Sequence, residues 1–166
     1  DQLSRKLDVK IHIYSNEWRK FNNKLGSRKN IVINEAIYNA DYRKAINKTK
    51  IMLGFITKSN VDELAYRNFE ITACGSFLLA ERTKFQKKFL REDKEAAYFG
   101  DVAECAAKIN YFLTNVEERK RIEQAGHKRV QKLNIHNDYL TNRALNKIFR
   151  SDQMNKDLYR DRKSVR

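Results

Sequence analysis

A chain of 166 residues, 41% hydrophobic and with a formal charge of +14, holds enough apolar sequence for one core but no run that would span a bilayer, form a signal peptide or carry a lipid. A soluble, cytoplasmic domain is expected. The charge excess lies at the ends: residues 1–50 carry 12 basic and 5 acidic side chains (+7), residues 51–142 carry 15 and 13 (+2), and residues 143–166 carry 8 and 3 (+5). That argues against nucleic acid, which calls for concentrated charge at a recognition element, and leaves the basic ends suited to peripheral contact with a membrane surface.

In chain order, "DVKIHIYS" (Asp8 to Ser15) and "NIVIN" (Asn30 to Asn34) are short, β-branched and apolar, and predict buried strands. Between them "NEWRKFNNKLGSRK" predicts a helical turn stopped by Gly26. "ADYRKAINKTK" places Tyr42, Ala45 and Ile46 on one helical face, and "IMLGFIT" (Ile51 to Thr57) is a third strand. After the polar loop "TKSNVDE", a helix from about Leu64 to Ala73 should turn Leu64, Tyr66, Phe69 and Ala73 to a core, with Gly75 releasing the chain into the strand "SFLLA".

"EAAYF" (Glu95 to Phe99) is one more strand, after which the period becomes helical. "DVAECAAKINYFL" sets Val102, Cys105, Ala106, Ile109, Phe112 and Leu113 in register behind an Asp101/Glu104 capping pair. A second helix is predicted to start with Thr114-x-x-Glu117 and to bury Ile122, Ala125 and Val130. A last helix, "NDYLTNRALNKIF", leads into the basic tail 151–166, so the globular part is expected over residues 1–150. Alternating strands and helices predict an α/β, Rossmann-like domain: a mostly parallel sheet with helices on both faces and a helical C-terminal end. Ligands of such sheets bind beyond the carboxyl ends of the strands, where helix N-termini meet anions, and "TKSNVDE" with the helix after it occupies such a place.

Cys74 and Cys105 sit among small and apolar neighbours, as reduced, packed thiols do, and an intracellular setting follows. His12, His127 and His136 are scattered without metal-ligand spacing, so no metal is expected and the last two are assigned to surface or capping roles.

Several segments together carry a family likeness: "AINKTKIMLGFI", "RNFEITACGSFLLAE", "EAAYFGDVAECAAKINYFLTNVEERKRIEQAGHKRV" and "HNDYLTNRA". From about Val9 to Phe149 the chain resembles the C-terminal half of the glycosyltransferase-like family typified by spore-maturation proteins, which is similar to the retaining transferases of the GT-B fold. The resemblance implies a Rossmann-like domain that holds a nucleoside diphosphate sugar as substrate, with no cofactor, and an enzyme that transfers the sugar to an acceptor. In the wider clan two acids eight residues apart flank the donor. Glu70 matches the acid that hydrogen-bonds the ribose, and Asp62 stands eight positions earlier, where the sugar-facing acid belongs.

Between those acids the resemblance places backbone amides that receive the diphosphate, here at Ala65 and Tyr66. The segment "ELAYRN" carries no glycine, and Arg67 offers a fork-shaped partner in compensation. Glu81, after the next strand, either lines the sugar side of the cleft or serves as an N-terminal acid for a helix in "RTKFQKKFL". Without the resemblance, Glu70 reads as a helix-surface acid paired with Arg67 three residues earlier, and Asp62 as a helix cap. Small residues at Ala73, Cys74 and Gly75 are expected where helix and strand approach closely. The family is built from two domains, so this chain is expected to be a fragment lacking the N-terminal domain or a degenerate binding member. The alternative from another class is a non-catalytic module whose basic ends meet an acidic partner, a membrane or nucleic acid.

Overall fold

In the computed structural model, which describes residues 2–21, 28–60, 62–133 and 145–147, each strand is followed by a helical segment. Strand β1 (Ile11–Tyr14) leads to a 3-10 turn at Glu17–Phe21, and β2 (Ile31–Asn34) to helix α1 (Asn39–Lys48). Strand β3 (Met52–Gly54) precedes a 3-10 turn at Lys58–Asn60 and α2 (Tyr66–Ala73); β4 (Leu78–Glu81) precedes the one-turn α3 (Gln86–Phe89). Last come β5 (Ala97–Phe99), α4 (Val102–Thr114) and α5 (Val116–Lys132).

Every strand pair is parallel, as the alternation of elements requires. β1 pairs with β2 from Ile11 opposite Ile31 to Tyr14 opposite Asn34, and β4 lies between β3 and β5, with Met52 opposite Leu78 and Leu79 opposite Ala97. The pairs form two sheets, β1-β2 and β3-β4-β5, rather than one. Each sheet is parallel throughout, as in a doubly wound domain. Both sheets nonetheless serve one core: Ile11 and Leu53 pack with Phe77, Leu79, Ala97, Phe99 and the α4 residues Cys105, Ile109 and Phe112. Leu3, Ser4 and Leu7, ahead of β1, join it, and the Asn30 side chain holds the Ser4 and Leu7 carbonyls at 2.9 and 2.8 Å.

β4 is buried on both faces, the mark of an inner strand of a parallel sheet. Its Leu79 side faces α4, and by alternation Leu78 and Ala80 face the other way, where α2 lies. α2 can lie close because position 54 is glycine. A Cβ there would overlap the amide of the buried Asn68 and press on Ala80. Gly126 does the same for α5, which rests on the Glu95 carbonyl and the Thr72 methyl.

Several sequence expectations are corrected. The third strand ends at Gly54, and Phe55 is 59% exposed. α2 starts at Tyr66 and buries Asn68, Phe69, Ile71 and Thr72, while Ala73 and Tyr66 face solvent. Gly75 is required by its φ of 74°, and a Cβ there would meet only His127 Nδ1 at an ordinary 3.9 Å, so the close approach falls at Gly54 instead. Asp101 does cap α4 by accepting from Glu104 N at 2.8 Å, but Glu104 answers to Gly100 N at 2.7 Å. Thr114 closes α4 by donating to the Asn110 and Tyr111 carbonyls, and α5 opens at Val116 without it. α4 and α5 otherwise bury the expected residues, Val102, Leu113 and Ala125 in part. Gly26, His136 and the tail 151–166 lie outside the described residues, as does the final helix except for residues 145–147, which are helical. Residues 1–131 form one structural unit and residues 132–166 a second.

The carboxyl ends of β4 and β5 are fastened by an ion network. Arg82 donates its backbone N–H to Phe99 O (2.8 Å), and its guanidinium bonds Glu92 (2.7 Å) and Glu104 (2.9 Å). Lys108 adds Tyr98 O (2.7 Å) and Glu104 (3.3 Å). The Arg82 bond, with help from Gly100 N and Lys108 and against partial burial, brings the Glu104 carboxyl down to about 2.

Two outcomes follow. Gly54→Ala should lower the urea midpoint by an amount worth about 1–3 kcal/mol, because α2 must lift or Asn68 must leave its rotamer; an unchanged midpoint would show that the helix is not seated as described. Because the folded Glu104 value lies below the ordinary 4.5, its stabilisation is complete above about pH 4.5 and is lost as pH falls through about 2. Wild type should therefore exceed Glu104→Gln in urea midpoint at pH 6.5 by an amount worth on the order of 1 kcal/mol or less after solvent screening, and the gap should shrink steadily as pH is lowered below about 4.

Candidate functional site at the carboxyl ends of the strands

Within each sheet parallel pairing sends the strands' carboxyl ends to one edge, and the segments that follow the strands carry most of the exposed aromatic surface: Trp18 and Phe21 after β1, Tyr38 after β2, Phe55 after β3, Phe85 after β4, and Tyr66 opening α2. The sequence-predicted site residues occupy part of this edge. Asp62 and Ala65 lie on the β3–α2 segment, Tyr66, Arg67 and Glu70 on α2, and Glu81 ends β4.

The β3–α2 segment is tied to β4 at three points. Glu81 accepts from Ile56 N (3.3 Å) and pairs with Lys58 (3.2 Å), and Thr83 Oγ1 donates to Glu63 O at 2.6 Å. Glu81 therefore belongs to the β3 side of the edge. It is not a first-turn acid of α3, whose N-cap is Phe85. Behind this edge the buried Asn68 donates to Gln86, whose amide donates in turn to Glu81 O (2.9 Å). Asn68 Oδ1, against Gly54, has no hydrogen-bond partner among the described residues. The site is a stiff corner with an exposed lip.

Asp62 is exposed on that lip, its N–H reaching Thr57 O at 3.4 Å. It does not cap α2. The N-cap is Ala65, in extended backbone, with no side-chain cap hydrogen bond and no acid in the first turn. A helix start of this kind leaves its positive end for an external anion.

Arg67 and Glu70 do not form the expected ion pair. Tyr42, reaching over from α1, donates its hydroxyl to Glu70 Oε2 at 3.3 Å, and the Arg67 guanidinium carbon stands 5.3 Å from the centroid of the same ring. Burial, opposed by Arg67 and reinforced by Glu70, raises the Tyr42 phenol above its ordinary value. Arg82, one residue past Glu81, is committed to Glu92 and Glu104. Arg67 makes no ion pair among the described residues, so it and Lys58 are the cations that this corner can offer to a ligand.

Sequence reasoning missed Tyr42, Lys58, Asn68, Thr83 and Gln86. Tyr42 stood in the predicted apolar face of α1, and nothing in its spacing marks a hydroxyl directed across to another helix. Cys74 is half-buried with its thiol raised by burial; Cys105 is buried and its thiol is pushed up to about 11, so both stay protonated at neutral pH. His127 packs its Nδ1 at 3.4 Å from Thr72 O. Among the described residues no group of three or more His, Cys, Asp or Glu could hold a metal, and no helix is long and apolar enough to cross a membrane.

The family model described as "Glycosyl transferase-like" matches residues 1–139. No curated protein matches significantly. Among solved structures, the chain is similar to TarM (TM-score 0.67, 15% identity, over 87% of this chain and 30% of that one). It is also similar to sucrose-phosphate synthase from Thermosynechococcus elongatus (0.67, 14%, 90% and 42%) and to HepE from Anabaena in complex with UDP (0.66, 12%, 91% and 43%). At such identities these matches speak for the fold: a Rossmann-like domain, as in the C-terminal half of GT-B glycosyltransferases. The chain spans less than half of the length of these three proteins.

Proposed function

The chain belongs to the glycosyl transferase-like family, and we propose that it is the donor-binding domain of a glycosyltransferase, one that moves a sugar from a nucleoside diphosphate to an acceptor. The observation that carries this reading is the corner itself. A helix start without a side-chain cap, a guanidinium outside any ion pair among the described residues and a carboxylate with one oxygen engaged all lie toward the carboxyl edge of a parallel sheet, where such folds bind nucleotides.

Each part has a role that its chemistry fits. The amides at Ala65 and Tyr66 and the helix dipole of α2 receive the diphosphate, and Arg67 adds a planar fork of N–H donors. Glu70 accepts from the ribose hydroxyls. Asp62, on the lip, faces the sugar, and Glu81, fixed by Ile56 N and Lys58, shapes the wall beside it. As the glycosidic bond breaks, negative charge gathers on the departing diphosphate. Fixed donors that need no rearrangement stabilise that charge, which is where most of the rate enhancement in such a transfer arises.

Kinship with the spore-maturation type is supported by the run Arg67-x-Phe69-Glu70-x-x-Ala73-Cys74-Gly75. Retention of configuration and the absence of any cofactor follow from that kinship. The acceptor would be held by a second, N-terminal domain across the cleft. HepE, which shares the fold, was crystallised with UDP and with UDP-glucose, and these are the first ligands to try.

The test is an amide-resolved NMR titration of the chain with UDP, UDP-glucose and the other common nucleoside diphosphates, at two salt concentrations and repeated on Glu70→Gln. Saturable shifts clustered at residues 57–76, weakened about tenfold or more in the variant and changed little by salt, are expected. Shifts spread over the basic ends, steep in salt and indifferent to Glu70, would sink the donor reading.

A further inference from the structure

We infer that Tyr42 is a positioning residue of this corner: its ring and hydroxyl hold the Arg67 guanidinium and the Glu70 carboxylate apart, so that the cation stays available to a diphosphate and the acid to a ribose. The inference rests on the donor-site reading above and deepens it.

Arg67 and Glu70 stand three residues apart on α2, the spacing at which opposite charges on a helix normally meet. Here they do not, and Tyr42 contacts both. Its geometry leaves each partner's binding capacity intact. A guanidinium over an aromatic ring is attracted by the ring's quadrupole and spends no hydrogen bond on a charged partner, so the N–H donors of Arg67 stay available for an anion. A phenol hydroxyl donates a single hydrogen, here to Oε2, leaving Oε1 and the second lone pair of Oε2 as acceptors. Had the two charges met directly, the fork and the carboxylate would have satisfied one another and a ligand would have had to separate them.

Tyr42 can act this way because its helix is fixed. Ile46, one turn further along α1, is fully buried, and Ser76 Oγ, just past α2, donates to the Ile46 carbonyl at 3.0 Å. The charged groups facing the phenol are Glu70 and Arg67 from α2, with the Cys74 thiol one turn further along the same helix; each bears on its titration.

Two variants separate the ring from the hydroxyl. Tyr42→Phe keeps the stack and loses the hydrogen bond; Tyr42→Leu loses both and lets Arg67 and Glu70 close on each other. With UDP and 2′,3′-dideoxy-UDP as probes, Tyr42→Phe should weaken UDP about three- to tenfold while leaving the dideoxy analogue nearly unchanged, and Tyr42→Leu should weaken both. A purely structural role would affect the two ligands alike and would show in the melting temperature, which Tyr42→Phe, being isosteric, should barely move.

A second readout needs no ligand. With 13C-labelled tyrosine, the Tyr42 phenol should titrate lower in Glu70→Gln, which removes an anion, and higher in Arg67→Gln, which removes a cation. If Glu70→Gln abolishes UDP binding but Tyr42→Phe leaves the UDP-to-dideoxy ratio untouched, the positioning role falls and the donor site stands. If wild type binds no nucleoside diphosphate, the donor site falls and takes the positioning role with it. A phenol whose titration ignores both substitutions overturns the geometry itself.

Discussion

The corner depends on the absence of a side chain at Gly54. A helix laid across a sheet normally stands off by the thickness of a side-chain layer, but here Asn68 meets bare backbone, and α2 comes down onto β3 and β4. That close seating aims the start of the helix at the edge where β3 ends. It also brings Asn68 within reach of Gln86, so that the base of α2 is linked through side-chain amides to the Glu81 carbonyl. Helix start, acid and strand end thus share one rigid support, which loops alone would not provide.

Charge is arranged as much by exclusion as by attraction. The positive excess of the chain lies toward its ends, while the middle uses its acids to occupy its cations: Arg82 between Glu92 and Glu104, Lys108 against the same acids, Arg91 on Glu95. A cation held that way would have to break several hydrogen bonds to reach a ligand. Arg67 and Lys58 escape this. One is held by an aromatic face, the other by a single contact to Glu81 while remaining 83% exposed.

Much of the fold was legible because period and length settle it. Three-residue strands as apolar as Ala97–Phe99 and a helix as regular as Val102–Thr114 have few alternatives, and their alternation demands parallel pairing. The boundaries were less legible: "IMLGFIT" reads as seven strand residues, yet hydrogen bonding to β4 ends at Gly54 and leaves Phe55 to solvent. The division into two sheets is invisible in sequence, since each strand carries the same pattern whether or not a neighbour pairs with its other edge. At the site, the acids and Arg67 stood out by motif, whereas Tyr42 and Gln86 act across elements that only the fold brings together. Thr114-x-x-Glu117 misled for a related reason: a threonine three residues before a glutamate marks a helix start only if the preceding helix has already ended.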